Sequence, residues 1–107
     1  MIYLSNAFSL NMVERDLKHL PRLIPQNLVQ VKNLLLEGFE SVVGHADTAN
    51  IFGRILNQSV EYNRKTILLK GDDILVVGQY SGPRLPEGTK ELPEGSSIEW
   101  WIISIGD

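Results

Sequence analysis

Phe39-Glu40-Ser41-Val42-Val43-Gly44-His45-Ala46-Asp47-Thr48-Ala49-Asn50-Ile51-Phe52-Gly53-Arg54-Ile55-Leu56 is the stretch that sets the architecture. Phe39–Val43 is rich in aromatic and β-branched residues and reads as a short strand. Gly44-His45 interrupts it. Beyond the break, Ala49, Phe52, Ile55 and Leu56 recur at helical spacing and form one apolar face. Asp47 falls in the first turn of that helix, where a carboxylate suits the positive end of the dipole. A strand that runs through a glycine into an amphipathic helix is the building unit of α/β domains.

The flanks extend the pattern. Upstream, Ile2-Tyr3-Leu4 reads as a first strand running into the polar stretch Ser5–Met12. Pro21 and Pro25 bracket Arg22-Leu23-Ile24, which makes that segment extended rather than helical. From Gln26 onward Leu28, Val31, Leu34 and Leu35 mark a first helix, with Gly38 placed where it stops. Downstream, Thr66–Leu69 and Ile74–Tyr80 flank Lys70-Gly71-Asp72-Asp73, the signature of a hairpin. Ser81–Ser97, with its prolines and glycines, is a long loop of the kind that carries function. Ile98–Ile105 is the last strand; its apolar residues on both faces predict a central position. The whole, residues 1–107, is a single α/β domain.

Composition narrows the function. The chain of 107 residues is 43% hydrophobic and 21% charged, so it folds rather than staying disordered. At this length roughly 65% of the unfolded surface is buried, enough for one core. It has no cysteine, which excludes a disulfide scaffold, zinc ribbons, iron–sulfur clusters and a thiol nucleophile. No apolar run approaches a bilayer span, so no membrane partner is expected. Met1–Asn6 lacks a basic n-region, so no signal peptide is expected and the predicted location is the cytoplasm. Net charge is −3. Residues 85–107 hold five acids against Lys90 alone, leaving residues 1–84 slightly positive. That balance disfavours a long nucleic acid and leaves room for a small anion.

The residues that bear chemistry each admit two readings. His45 follows Gly44 at a strand-to-helix junction, where free N–H groups and the dipole seat an anion. It is either a general acid beside a phosphate or a capping histidine. Arg84, in the loop Arg84-Leu85-Pro86-Glu87-Gly88, has the planar fork suited to phosphate. Glu87 would orient a hydroxyl or the arginine; the plainer reading is a solvated ion pair. Asn63-Arg64-Lys65 supplies positive charge or is a solvated turn. Asn6–Asn11 follows a strand, where α/β proteins bind ligands, or is a capped turn. Trp100 and Trp101 read as core rather than as a stacking platform for bases. His45-Ala46-Asp47 has no third ligand nearby in sequence, and no metal site or cofactor is expected.

Taken in order, Leu4-Ser5-Asn6-Ala7-Phe8-Ser9-Leu10-Asn11-Met12, Val43-Gly44-His45-Ala46-Asp47-Thr48, Asn63-Arg64, Gln79 and Arg84–Gly88 resemble the viral ring nucleases. These are the type III anti-CRISPR proteins of viruses and mobile elements. The resemblance spans nearly the whole chain, and N-A-F-S-x-N-M with G-H-x-x-T is specific as a pair. It implies a homodimer, each subunit a mixed sheet of about five strands with flanking helices. It implies that cyclic tetra-adenylate binds across the two-fold axis and is cut without a metal. A ribose 2′-hydroxyl attacks the adjacent phosphate, giving linear di-adenylate with a 2′,3′-cyclic phosphate. By position, His45 would be the general acid, Arg84 would stabilise transition-state charge, and Glu87 would support the site. Asn6, Ser9, Asn11, Thr48, Arg64 and Gln79 would contact the ligand.

The chain departs from the family at two places. Archaeal viral members carry a helix between Gly88 and the last strand, where this chain has only Thr89–Ser97. Position 47 is an aspartate where a neutral hydroxyl would sit more comfortably near phosphate. A competing function is a binding module that senses or sequesters the same ring without turnover; an intact His45, Arg84 and Glu87 favours the enzyme. A DNA-binding regulator is weaker still, given the net charge and the lack of a helix-turn-helix pattern.

Overall fold

The computed structural model describes every residue except Leu17, His19, Gly106 and Asp107. The chain begins with strand β1 (Ile2–Ser5), a 3-10 turn (Leu10–Met12) and strand β2 (Arg22–Gln26). Helix α1 (Leu28–Leu35), strand β3 (Glu40–Ser41) and helix α2 (Ala46–Leu56) follow, then strands β4 (Ile74–Ser81) and β5 (Ser97–Ser104). The five strands form one mixed sheet in the order β2-β5-β4-β1-β3. β1 lies parallel to both β3 and β4, while β5 runs antiparallel to β4 and β2. The expected α/β domain is therefore present, and β5 holds the interior position its two apolar faces predicted.

Local chemistry explains the elements. Asn27 and Gln30 cap α1 reciprocally: each side chain accepts the other's backbone N–H at 2.8 Å. That satisfies two donors the first helical turn leaves free. Gly38, at φ +103°, turns the chain out of α1 into β3. Asn57, at φ +56°, ends α2 in the left-handed conformation, which asparagine tolerates better than most residues. The prolines at 21 and 25 belong with β2, an edge strand, the place in a sheet where a missing N–H is tolerated. The strand foreseen over Phe39–Val43 is shorter in the structure. Only Glu40 and Ser41 pair with β1, and Val43 makes a single parallel bridge to Tyr62.

Both helices cover one face of the sheet. Val31 and Leu35 of α1 and Ala49, Phe52 and Leu56 of α2 pack with Leu4, Val76 and Trp100. Phe52 and Trp100 meet with ring centroids 5.1 Å apart at a 51° tilt, a geometry that suits aromatic quadrupoles. Trp100 is thus a core residue. The opposite face buries Leu75, Val77 and Ile103 under Met12 of the 3-10 turn and under Ile67 and Leu69 of an irregular segment.

That second cover corrects the expected hairpin. The turn at 70–73 forms: the Lys70 N–H donates to Asp73 Oδ2 at 2.9 Å and the Asp73 N–H to the Lys70 carbonyl at 2.9 Å. Thr66–Leu69, however, does not pair with β4. Both edges of β4 are occupied, by β1 and by β5. The segment instead crosses the sheet face, burying Ile67 and Leu69, with the Leu69 N–H bonded to the Met12 carbonyl at 2.8 Å.

Gly78 is required by the aromatic pair above it. A Cβ there would lie 2.6 Å from both Phe52 Cζ and Trp100 Cζ3. Overpacking of this kind costs about 1–3 kcal/mol. Gly78→Ala should therefore lower the thermal midpoint by several degrees in a melting experiment; an unchanged midpoint would contradict the packing described.

Candidate functional site

β4, β1 and β3 are parallel neighbours, so their C-terminal ends emerge on one side of the sheet. In open α/β sheets this is where ligands bind. At the end of β1, buried Ser5 closes a tight turn: its Oγ donates to the Ala7 carbonyl at 2.9 Å and accepts the Ala7 N–H at 3.2 Å. Asn6 projects from that turn, and its Oδ1 accepts the Gly44 N–H at 3.2 Å. One amide thereby joins the end of β1 to the entry of α2.

The segment after α2 is laid along the outer edge of β3. Ser41 Oγ donates to the Glu61 carbonyl at 2.6 Å. Asn63 Nδ2 donates to the Ser41 carbonyl at 2.8 Å, and the Asn63 N–H to the Val43 carbonyl at 2.9 Å. Lys65 Nζ stands 2.6 Å from Glu40 Oε2. That contact holds the ammonium above the usual lysine range, the hydrogen bond to Glu40 being the main cause. Asn63 and Lys65 are thus structural fasteners. Arg64 lies between them with its side chain against Gly44; a Cβ at Gly44 would come within 3.4 Å of Arg64 Cγ.

His45 is the N-cap of α2, and its Nδ1 accepts the Thr48 N–H at 3.3 Å. Thr48 Oγ1 is also 3.3 Å from Nδ1. The two sequence readings of His45 are therefore compatible: it caps the helix and it lines a cleft. The hydrogen bond also assigns the tautomer. A nitrogen that accepts carries no proton, so in this arrangement the ring proton is on Nε2.

The cleft is open, about 920 Å³, and its lining includes Asn6, His45, Thr48, Gln79, Arg84 and Glu87. These six, from four separate parts of the sequence, were all singled out as catalytic or ligand-binding candidates. The other three candidates stand apart from the lining. Ser9 and Asn11 belong to the 3-10 turn, where Ser9 Oγ accepts the Asn11 N–H at 3.3 Å. Arg64 sits beside Gly44. Tyr80 and Asp47 also line the cleft; Tyr80 was not singled out from sequence, and Asp47 was noted only as a first-turn carboxylate and a charge unsuited to a nearby phosphate. Tyr80 Oη donates to the Pro83 carbonyl at 2.5 Å, fixing the start of the loop. Asp47 Oδ1 accepts the Gly88 N–H at 3.2 Å. Among the described residues no three His, Cys, Asp or Glu side chains are grouped to hold a metal. Nor, among them, is any helix long and apolar enough to cross a membrane. His19 lies outside the described residues.

The architecture is that of a small α/β protein with a polar cleft at the ends of three parallel strands. The chain matches the STIV B116-like family over residues 2–97 and belongs to it. Its fold is similar to that of B116 of Sulfolobus turreted icosahedral virus, with a TM-score of 0.79 at 21% identity. That likeness covers 96% of this chain and 97% of the viral protein. No curated protein is significantly similar in sequence.

The capping role of His45 can be tested by itself. Losing an N-cap costs about 0.5–2 kcal/mol, and asparagine caps as well as any residue. His45→Ala should therefore melt several degrees below the parent, whereas His45→Asn should stay near it. Equal midpoints for the two variants would show that the cap contributes nothing.

Proposed function

We propose that the protein is a ring nuclease that cleaves cyclic tetra-adenylate without a metal, thereby silencing type III CRISPR signalling. The observation that carries this reading is the convergence of His45, Arg84 and Glu87, remote in sequence, on one open cleft at the helix N-terminus. RNA brings its own nucleophile, so the protein has three tasks: orientation, charge stabilisation and a proton for the leaving oxygen.

The reaction assigns those tasks as follows. The 2′-oxygen bonds to phosphorus as the P–O5′ bond breaks, and its hydroxyl proton passes to solvent water, which the open cleft admits. Arg84 faces the charge that accumulates on the non-bridging oxygens, and Glu87 supports the site by orienting the hydroxyl or the arginine. O5′ takes its proton from Nε2 of His45. To give that proton the ring must be an imidazolium, with a second proton on Nδ1. Thr48 Oγ1, already 3.3 Å from Nδ1, can then accept from it. Asn6 and Gln79 line the same cleft and contact the ring, with Ser9, Asn11 and Arg64 reaching it from the margins. A single chain supplies one His45–Arg84–Glu87 set. A homodimer presents two sets across a two-fold axis, which matches the repeating symmetry of the ligand. A cytoplasmic setting follows from the substrate.

The test is incubation with cyclic tetra-adenylate in EDTA, followed by product analysis. The expected product is linear di-adenylate carrying a 2′,3′-cyclic phosphate. His45→Asn, which keeps the helix cap, should lose about 10²-fold or more in kcat while still binding the ring. A requirement for added metal, or near-parental cleavage by His45→Asn, would sink the mechanism. Tight binding by the parent protein with no turnover would make it a sequestering module instead.

A further inference from the structure

Asp47 presents an electrostatic problem. The cleft that would receive a ring of four phosphodiesters holds two carboxylates, Asp47 and Glu87, against the cation Arg84. The structure provides two sources of compensation for Asp47. It lies in the first turn of α2, where the free N–H groups and the helix dipole favour negative charge. Its Oδ1 also accepts the Gly88 N–H at 3.2 Å. Gly88 stands one residue beyond Glu87 and four beyond Arg84, at φ +81°, a conformation that directs this N–H without the cost a side chain would incur.

That hydrogen bond links the rigid wall of the cleft to its irregular wall. Residues 82–96 connect β4 to β5 and contain no helix or strand. The base of this loop is closed where the ladder ends at Ser81 and Ser97. Within it, turns tie Thr89 back to the Pro86 carbonyl and Ser96 back to the Pro93 carbonyl. Two side-chain contacts reach from α2 to the loop: Asp47 to Gly88, and Arg54 to Glu91 at 3.4 Å. The second is an exposed ion pair, with side chains 58% and 79% accessible, and pairs of that kind hold little. The Asp47 bond is also exposed, but it falls on the backbone directly beside Arg84 and Glu87.

We infer that Asp47 is a positioning residue: it latches the Arg84–Glu87 loop to the N-terminus of α2 and so holds both side chains opposite His45. This deepens the ring-nuclease reading and rests on it for its catalytic consequence, but the latch itself is a property of the unliganded protein. What matters is an acceptor oxygen at position 47, not the charge. Asparagine keeps an acceptor there, and alanine removes it.

The experiment compares the parent, Asp47→Asn and Asp47→Ala by amide hydrogen exchange at Gly88 and by single-turnover cleavage of cyclic tetra-adenylate, with melting curves to verify folding. In Asp47→Ala, Gly88 exchange should accelerate severalfold, and the cleavage rate at saturating ligand should fall about tenfold through lost orientation. Asp47→Asn should restore both readouts, with the ring bound at least as tightly because a negative charge has left the cleft. Parental Gly88 exchange in Asp47→Ala overturns the latch, as does a failure of Asp47→Asn to restore protection. If the parent protein cleaves nothing, the ring-nuclease reading fails. The exchange comparison still decides the latch.

Discussion

Phe52 and Trp100 pack at a tilt over Gly78, where a Cβ would clash with both rings, and much of the molecule's order follows from that contact. Phe52 belongs to α2, Trp100 to β5 and Gly78 to β4. Their packing fixes the rotation and height of α2 on the sheet. His45 lies two helical turns before Phe52, roughly 10 Å along the axis. An aromatic contact in the dry interior therefore sets where the imidazole emerges at the wet edge. The same β4 that carries Gly78 continues into Gln79 and Tyr80 at the cleft, so the wall opposite α2 is tied to the same point.

Much of this was legible in the chain because it rests on local period. The apolar stripe of α2, the glycine break before it, the two-faced pattern of β5 and the extended segment between prolines are each encoded within about ten residues. Pairing is not. The turn at Lys70–Asp73 is written in its residues and forms as read, but turn chemistry cannot say which strand already occupies the neighbouring edge. β4 found β1 and β5, and Thr66–Leu69 was left to cover a sheet face. The site divides along the same line. Asn6, His45, Thr48, Gln79, Arg84 and Glu87 converge because strand ends and a helix start converge. The hydrogen bond from Gly88 to Asp47 spans 41 positions, and no spacing rule announces it. Asp47 was visible as a first-turn carboxylate and as a charge ill-suited to phosphate, not as a tie to the loop.

On the proposed mechanism, His45 serves both stability and chemistry. Serine, threonine, aspartate and asparagine are the usual caps because a short side chain reaches the second or third free N–H. Imidazole does the same through Nδ1, and in doing so commits its remaining nitrogen, Nε2, to the proton. A capping carboxylate or hydroxyl would satisfy the helix equally and leave the cleft without an acid. Thr48 completes the arrangement. Its backbone N–H serves the ring that accepts, and its hydroxyl serves a ring that donates, but protonation at Nδ1 gives up the N–H cap.

The loop opposite is built on a different principle. Its ends are brought so close that a Cβ at Gly82 would lie 2.5 Å from Ser96 Cβ, and its interior is held by short turns rather than by a core. Such a segment buries little apolar surface, so few contacts oppose its chain entropy. A helix in its place would orient functional side chains through its own hydrogen-bond ladder. This loop has no ladder, so the orientation of Arg84 and Glu87 depends on where its backbone is tied down. The tie nearest to them ends on Asp47 in the first turn of α2, two residues from His45. His45, the proposed acid, and the groups opposite it therefore share one mechanical support, and that support is anchored by Phe52 in the core.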